Sequence, residues 1–324
     1  VYKRQGKDGK KLPLGNKEEA DKVLDAVRKN PFSVMDVKTS DRIRKSQPPF
    51  TTSTLQQEAS KKLNFTTSKT MRVAQQLYEG VDIKGRGTTG LITYLRTDST
   101  RISDEAHESV LGLIGEKYGK EYVNPDGVKA KGSKNKTQDA HEAIRPTYSE
   151  LEPLEIKEAL SRDQYRLYQL IWSRFLASRM KPAVYDNQKI RIDNSGYEFR
   201  TNVQVLKFDG FLKVYKAADE EEIAKKQLKV TKDSKLTLDD VSGIQHFTKP
   251  PARFTEAALV KTLEENGVGR PSTYAPTIST ILARGYVGKE EKKLFPTELG
   301  EIVYKILEGY FENVISVSFT ANLE

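Results

Sequence analysis

Along its length this chain switches repeatedly between the two-residue repeat of a β-strand and the 3.6-residue repeat of a helix. That alternation reads as an α+β chain mixing helices and strands, and 324 residues are enough for two or three domains. Residues 32–49 read as extended, with Val34, Asp36 and Lys38 alternating against Met35, Val37 and Thr39 until Pro48-Pro49 ends the run. From Thr51 the spacing becomes helical: Leu55, Ala59 and Leu63 follow a Thr52/Ser53/Thr54 cluster suited to N-capping. A second helix is expected from about Ser68 to Glu79, then a glycine-rich connection from Gly80 to Gly90 and a β-prone run, Leu91–Leu95. Ser103 and Asp104 open a helix through Ala106, Val110, Leu113 and Ile114. Asn124 to Thr137 is a basic loop, and after Pro153 an amphipathic helix carrying Trp172 runs to about Met180. Strand character returns over 183–215, with Asn194-Ser195-Gly196 as a turn, and a charged insert covers 216–235.

Pro250-Pro251 marks a further boundary. Beyond it Thr255 caps a helix ended by Gly267, Ser272 or Thr273 caps a second ending near Arg284-Gly285, and a hairpin spans Tyr286 to Phe295 before another helix. Helix, turn, helix and β-wing is a winged-helix order, and residues 52–95 repeat much of it.

Composition narrows the function. No apolar run approaches the ~18 residues needed to span a membrane. The basic N-terminus lacks the apolar stretch of a signal peptide, and the missing initiator Met and abrupt end at Glu324 suggest a piece of a longer protein. With no cysteine, disulfides, thiolate metal sites and cysteine nucleophiles are excluded within this chain; with only His107, His141 and His246, a three-histidine metal centre is disfavoured. A formal charge of +9 and a pI near 9.3 favour a polyanionic partner, although a merely soluble basic protein shows the same excess.

Three segments carry chemistry. In Thr93-Tyr94-Leu95-Arg96-Thr97-Asp98-Ser99, a strand would place Tyr94 and Arg96 on one face. A phenol is a weak nucleophile at its free pKa of about 10. A fixed guanidinium favours the phenolate and binds phosphate bidentately. In Gln138-Asp139-Ala140-His141-Glu142-Ala143-Ile144-Arg145-Pro146, Asp139 and Glu142 fit a capping box, which would set His141 and Arg145 on one helical face toward a phosphate. In Gly267-Val268-Gly269-Arg270-Pro271-Ser272-Thr273-Tyr274, glycines and a helix N-terminus suit close approach to an anion. Arg270, Ser272 and Thr273 add donors, Tyr274 a stacking face and Arg284 a further cation, a set suited to single-stranded DNA. Each segment alone also fits a plain structural role: a half-buried strand tyrosine, a charged surface helix, a glycine-capped helical turn.

Their order is more specific than any one of them. PPFTTSTLQQEAS, GLITYLRTDSTRIS, QDAHEAIRPT and FTEAALVKTLEENGVGRPSTYAPTISTILARGYV succeed one another, and together they closely resemble bacterial DNA topoisomerase I of the type IA family over nearly the whole chain. The Leu in TYLRTDS fits that branch better than topoisomerase III, which looks more like TYPRTDS. The resemblance implies that Tyr94 forms a transient 5′-phosphotyrosine with one strand without ATP, and that Arg96 contacts the scissile phosphate. It further implies that His141 and Arg145 line the strand groove and that Arg270, Ser272, Thr273, Tyr274 and Arg284 bind DNA. It implies a toroid fragment: a β-rich arch split between 1–53 and 181–250, a tyrosine-bearing winged-helix-like domain over 54–180, and an incomplete helical winged-helix-like domain over 251–324. A bacterial, cytoplasmic, nucleoid-associated monomer acting on single-stranded and negatively supercoiled DNA, without membrane contact, follows from the family. The family's Mg²⁺ belongs to an N-terminal domain absent here: no Asp-x-Asp pattern precedes Tyr94. The chain alone is therefore expected to hold no metal and to bind single-stranded DNA without relaxing supercoils. The rival from another class is a non-enzymatic single-stranded DNA-binding module.

Overall fold

The computed structural model describes residues 14–128, 141–216 and 226–324, with the backbone of Lys3–Lys7. Most of the basic loop, Gln138–Ala140 of the second motif and residues 217–225 of the charged insert lie outside the described residues. The elements begin with β1 (Lys3–Lys7), α1 (Lys17–Arg28), β2 (Phe32–Arg44), α2 (Thr52–Leu63) and α3 (Thr67–Glu79). They continue with β3 (Val81–Ile83), β4 (Gly87–Thr89), α4 (Asp104–Lys117), α5 (Arg162–Ala177), β5 (Ala183–Asn194), β6 (Tyr197–Phe208) and β7 (Lys235–Leu236). The last are α6 (Glu256–Glu265), α7 (Tyr274–Ala283), β8 (Val287–Glu290), β9 (Lys293–Pro296), α8 (Glu298–Ile315) and α9 (Val317–Leu323). Helices mixed with antiparallel sheets make this the expected α+β class. No helix among the described residues is long and apolar enough to cross a membrane.

The described residues divide into two compact units, one from 1–44, 182–210 and 219–250, the other from 45–181, 211–218 and 251–324. In the first, an antiparallel sheet of order β1-β6-β5-β2-β7 is backed by α1, whose Val23 and Val27 pack on Phe32, Val34, Ile190, Ile192 and Phe199. The alternation expected through β2 breaks at a bulge. Val34 pairs with Ile192 but Asp36 with Arg191, so Met35 is extra and exposed, and Val37 joins Val34 against the core. The β5–β6 turn is where the sequence placed it. Ser195 (φ 51°) and Gly196 (φ 82°) both adopt left-handed backbone, as a two-residue hairpin turn with the twist of its strands requires. Asn194, fully buried, ties that hairpin to the end of α1 through hydrogen bonds to the Val27 and Asn30 carbonyls, each 2.9 Å. Between Arg191 and Arg200, the Glu198 carboxylate is held down to about 2, first by the Arg191 hydrogen bonds and then by those of Arg200.

The second unit is built on α2, α3 and α5, with Phe50, Leu55, Leu77, Leu91, Ile92, Leu95, Ile144, Ile171 and Phe175 essentially inaccessible. Trp172 sits in this core with its indole N–H donating to the Ser149 carbonyl at 2.9 Å. The helix expected from Pro153 starts only at Arg162, because a Ser161/Gln164 capping box fixes its first turn there. Two boundaries also differ from expectation. Residues 45–53 and 211–216, expected in the arch, cluster with the helices, and the described residues of 54–180 and 251–324 fall in the same compact unit. The reason is visible at Arg174. Buried in α5, it stacks on Phe50 and Tyr215 and donates to the Pro48 carbonyl at 2.8 Å, pulling both flanking segments onto the helices.

Residues 251–324 follow the expected order. Thr255 caps α6, Gly267 leaves it at φ 72°, α7 follows, β8 and β9 form the hairpin and α8 succeeds them. Helix α6 lies along α2 in the opposite sense, since Ser53 at the start of α2 donates to Glu264 at the end of α6 (2.7 Å). At the other end, Thr67 donates to Glu256 at the start of α6. Glu256, only 5% exposed, accepts from the Thr67 backbone N–H at 2.8 Å, the Thr67 hydroxyl at 2.9 Å and the Lys289 ammonium at 2.6 Å. One carboxylate thus joins α3, α6 and β8.

Candidate active site around Tyr94

The loop carrying Tyr94 is held in shape by hydroxyl groups rather than by a sheet. On one side, the fully buried Thr52 at the head of α2 donates its hydroxyl to the Leu95 carbonyl at 2.7 Å, while the Thr97 N–H donates back to that hydroxyl at 2.9 Å. On the other, the Thr93 hydroxyl donates to the Ala143 carbonyl at 2.6 Å and accepts from the Arg145 N–H at 3.0 Å. Thr97 and Ser99 side chains accept from the backbone two residues on, closing successive tight turns. The β-prone run Leu91–Leu95 is therefore no strand; its pairing reduces to an isolated bridge between Ile92 and Pro146. The same-face argument for Tyr94 and Arg96 lapses with it. Tyr94 is half-buried, whereas Arg96 is exposed.

The described part of the second motif, from His141 onward, is also not helical. Ile144 donates its N–H to the Phe50 carbonyl at 2.8 Å, Ala143 donates to Arg101 at 2.7 Å, and Pro146 bridges Ile92, so 142–147 runs extended between two loops. A local helical pattern loses here to long-range pairing, and Pro146 already disfavours helix in the residue before it. The extended path still delivers His141 to Tyr94. Their ring centroids lie 4.9 Å apart at 36°, and Tyr78 of α3 meets the Tyr94 ring edge-on at 5.6 Å and 70°. Arg145 is turned away into an ion pair with Glu142 at 2.7 Å and a hydrogen bond to the Pro146 carbonyl at 2.9 Å. It braces the strand rather than offering its fork freely.

The third motif approaches the same region. Asp98 lies close enough to Glu264 and Tyr274 to act on both electrostatically. Burial first, and then the charges of Glu265 and Asp98, raise the Glu264 carboxyl above its ordinary range despite the Ser53 hydrogen bond. Arg270, Ser272, Thr273 and Arg284 are all exposed. The Thr273 hydroxyl accepts from the Arg270 N–H at 2.8 Å, fixing the turn into α7. Tyr274 departs from expectation. It is 6% exposed, packs with Val260 and Ile278, and burial pushes its phenol up to about 12, so it has no free stacking face. A Cβ on Gly269 would lie 3.0 Å from that ring, so the glycine, at φ 82°, lets the loop close over it.

The arrangement presents a partly exposed phenol flanked by an imidazole, with the exposed Arg96 two residues further along the same loop. The loop that carries the phenol is braced by the Thr52 and Thr93 hydroxyls, and the exposed donors of the third motif lie in the same compact unit. In general a phenol can act as a nucleophile, an imidazole can take its proton, and guanidinium groups can neutralise a phosphate. Sequence reasoning missed Thr52, whose signal was confounded with helix capping, and Tyr78, whose helical spacing resembled ordinary packing.

A family model described as DNA topoisomerase matches residues 2–324. Among solved structures, full-length topoisomerase I from Thermotoga maritima is similar at a TM-score of 0.82 and 40% sequence identity, over 97% of this chain and 50% of that one. The chain thus spans about half the length of that relative.

Proposed function

Because the chain belongs to the DNA topoisomerase family, we propose that it carries the tyrosine-bearing half of a bacterial type IA enzyme, in which Tyr94 cuts and reseals one DNA strand. The Tyr94 oxygen attacks the scissile phosphorus, the bond from phosphorus to the 3′ oxygen breaks, and the 5′ phosphate remains on the phenol. The phenol proton passes to His141 or solvent, and the departing 3′ oxygen takes up a proton. Resealing is the reverse, so the phosphodiester energy is conserved and no ATP is consumed. Arg96 neutralises charge on the phosphate, and Arg270, Ser272, Thr273 and Arg284 hold the single strand leading to it. In the same reading the sheet unit belongs to the arch of a toroid, and α6, α7 and the β8–β9 hairpin form a winged-helix-like DNA-binding element. A monomeric, cytoplasmic protein of the nucleoid, acting on negatively supercoiled DNA, fits that assignment. The observation that carries this reading is the stacking of His141 on a half-exposed Tyr94 in a loop braced from both sides.

Among the described residues no three His, Cys, Asp or Glu side chains group as a metal site, and no step above runs through a metal. The purified chain is expected to bind a single-stranded oligonucleotide, with affinity falling steeply as salt rises, and to leave supercoiled plasmid unrelaxed with Mg²⁺ present. Gel-shift titration and a plasmid relaxation assay check both. Relaxation by the chain alone would contradict the division of the active site between this half and another.

A further inference from the structure

Tyr78 lies in the last turn of α3 and is 39% exposed. Its relation to Tyr94 is fixed by backbone. After the β3–β4 hairpin the chain returns beneath Tyr78 at Gly90, where a Cβ would stand 2.8 Å from the Tyr78 carbonyl oxygen. The next N–H, from Leu91, donates to the Leu77 carbonyl at 2.8 Å. The loop therefore departs from the end of α3 in a single geometry. Tyr94 follows soon after, with its ring edge-on to Tyr78 on one side and against His141 on the other. The Tyr78 hydroxyl has no hydrogen-bond partner among the described residues, so its ring alone makes this contact.

In-line attack requires the phenol oxygen to sit opposite the leaving oxygen, and a displacement of about 1 Å costs on the order of 10²-fold in rate. A half-exposed tyrosine pivots about two side-chain torsions unless something stops it. Its hydroxyl must stay free for phosphorus, so restraint must fall on the ring. Two flanking rings supply that restraint without touching the oxygen, and an edge-on aromatic pair favours one relative orientation beyond what buried area alone dictates. Resting on the assignment of Tyr94 as the nucleophile, we propose that Tyr78 is a positioning residue that holds the Tyr94 ring in its attacking orientation. As Tyr78 is well exposed, removing its ring leaves the core of the unit intact.

The test compares Tyr78→Ala, Tyr78→Leu and Tyr78→Phe in the full-length enzyme. It uses a 3′-labelled single-stranded oligonucleotide and follows adduct formation in a single turnover alongside equilibrium binding. The Ala and Leu variants should form adduct about 10- to 100-fold more slowly while binding the oligonucleotide within about twofold of the native enzyme. Tyr78→Phe should restore the native rate, because the ring rather than the hydroxyl makes the contact. A native rate in Tyr78→Ala, or binding that falls in step with rate and is not rescued by Phe, overturns the inference. A native enzyme that forms no adduct at Tyr94 overturns the assignment of the nucleophile instead, which keeps the two failures apart.

Discussion

Replacing Tyr94 with phenylalanine should leave single-stranded DNA binding within about twofold of native and reduce the covalent protein–DNA adduct by roughly four orders of magnitude or more. The substitution removes one oxygen from a half-exposed ring and leaves both ring contacts with Tyr78 and His141 in place. Stability should therefore move by no more than about 1 kcal/mol. The exposed cations around Arg270 and Arg284 do not depend on that oxygen, so affinity survives. Side-by-side filter binding and denaturing-gel detection of the adduct separate the two effects. An adduct that persists in Tyr94→Phe would place the nucleophile elsewhere.

Glu256→Ala should destabilise the helical unit by about 2–3 kcal/mol at neutral pH, a large share of the stability of an ordinary domain. The carboxylate is 5% exposed, and its loss strands a buried Thr67 N–H and unpairs Lys289. The effect has a defined pH dependence. Burial alone would raise the Glu256 carboxyl. The hydrogen bond from Lys289 and those from Thr67 overcome it and leave the group below its ordinary range. A carboxyl depressed in the folded state contributes fully above its unfolded pKa, roughly 4.3, and loses that contribution as pH falls through the folded value. Urea midpoints of native and variant should therefore lie far apart at neutral pH and converge as the buffer is acidified below about 4. Equal midpoints at neutral pH would show that the tie between α3, α6 and β8 contributes nothing. The same variant should weaken DNA binding, because α6, which leads into the exposed donors before α7, loses its ties to the start of α3 and to β8.

What could be read in the sequence was what local chemistry determines. Thr255 and Gly267 delimit α6, and Ser195-Gly196 makes its hairpin turn, because capping hydroxyls and left-handed backbone act within a few residues; Thr273 precedes α7 but makes no cap bond to it. Helix α1 was equally legible from Asn16, Glu19 and the Val23/Val27 spacing, and went unassigned. What could not be read was decided by partners distant in the chain. The 142–147 segment has helical composition but pairs with Phe50 and Ile92, and Leu91–Leu95 has β composition but is braced by Thr52 and Ala143. The bulge at Met35 reverses an alternation that looked continuous. Tyr274 shows the opposite failure: a residue type suited to stacking bases is drawn into the core by Val260 and Ile278.

At the candidate site, the motifs named Tyr94 and His141, and the fold brings their rings together. For Arg145 the motif identified the segment but not the orientation, which Glu142 decides. Spacing alone did not reveal that the Tyr94 loop depends on the Thr52 hydroxyl of α2 and on the bonds of its own Thr93 hydroxyl to the extended segment. A single threonine in Thr52-Ser53-Thr54 has the same local signature whether it caps a helix or clasps a loop.

The central claim is that one phenol in this loop becomes joined to a DNA end, and peptide mapping tests it most directly. The full-length enzyme, trapped on a single-stranded oligonucleotide and digested with trypsin, should yield one DNA-linked peptide, residues 87–96, with the bond at Tyr94. The attached fragment should be joined through its 5′ phosphate, and the released fragment should end in a 3′ hydroxyl. Attachment at another residue, linkage through a 3′ phosphate, or DNA held without any covalent bond would contradict the account.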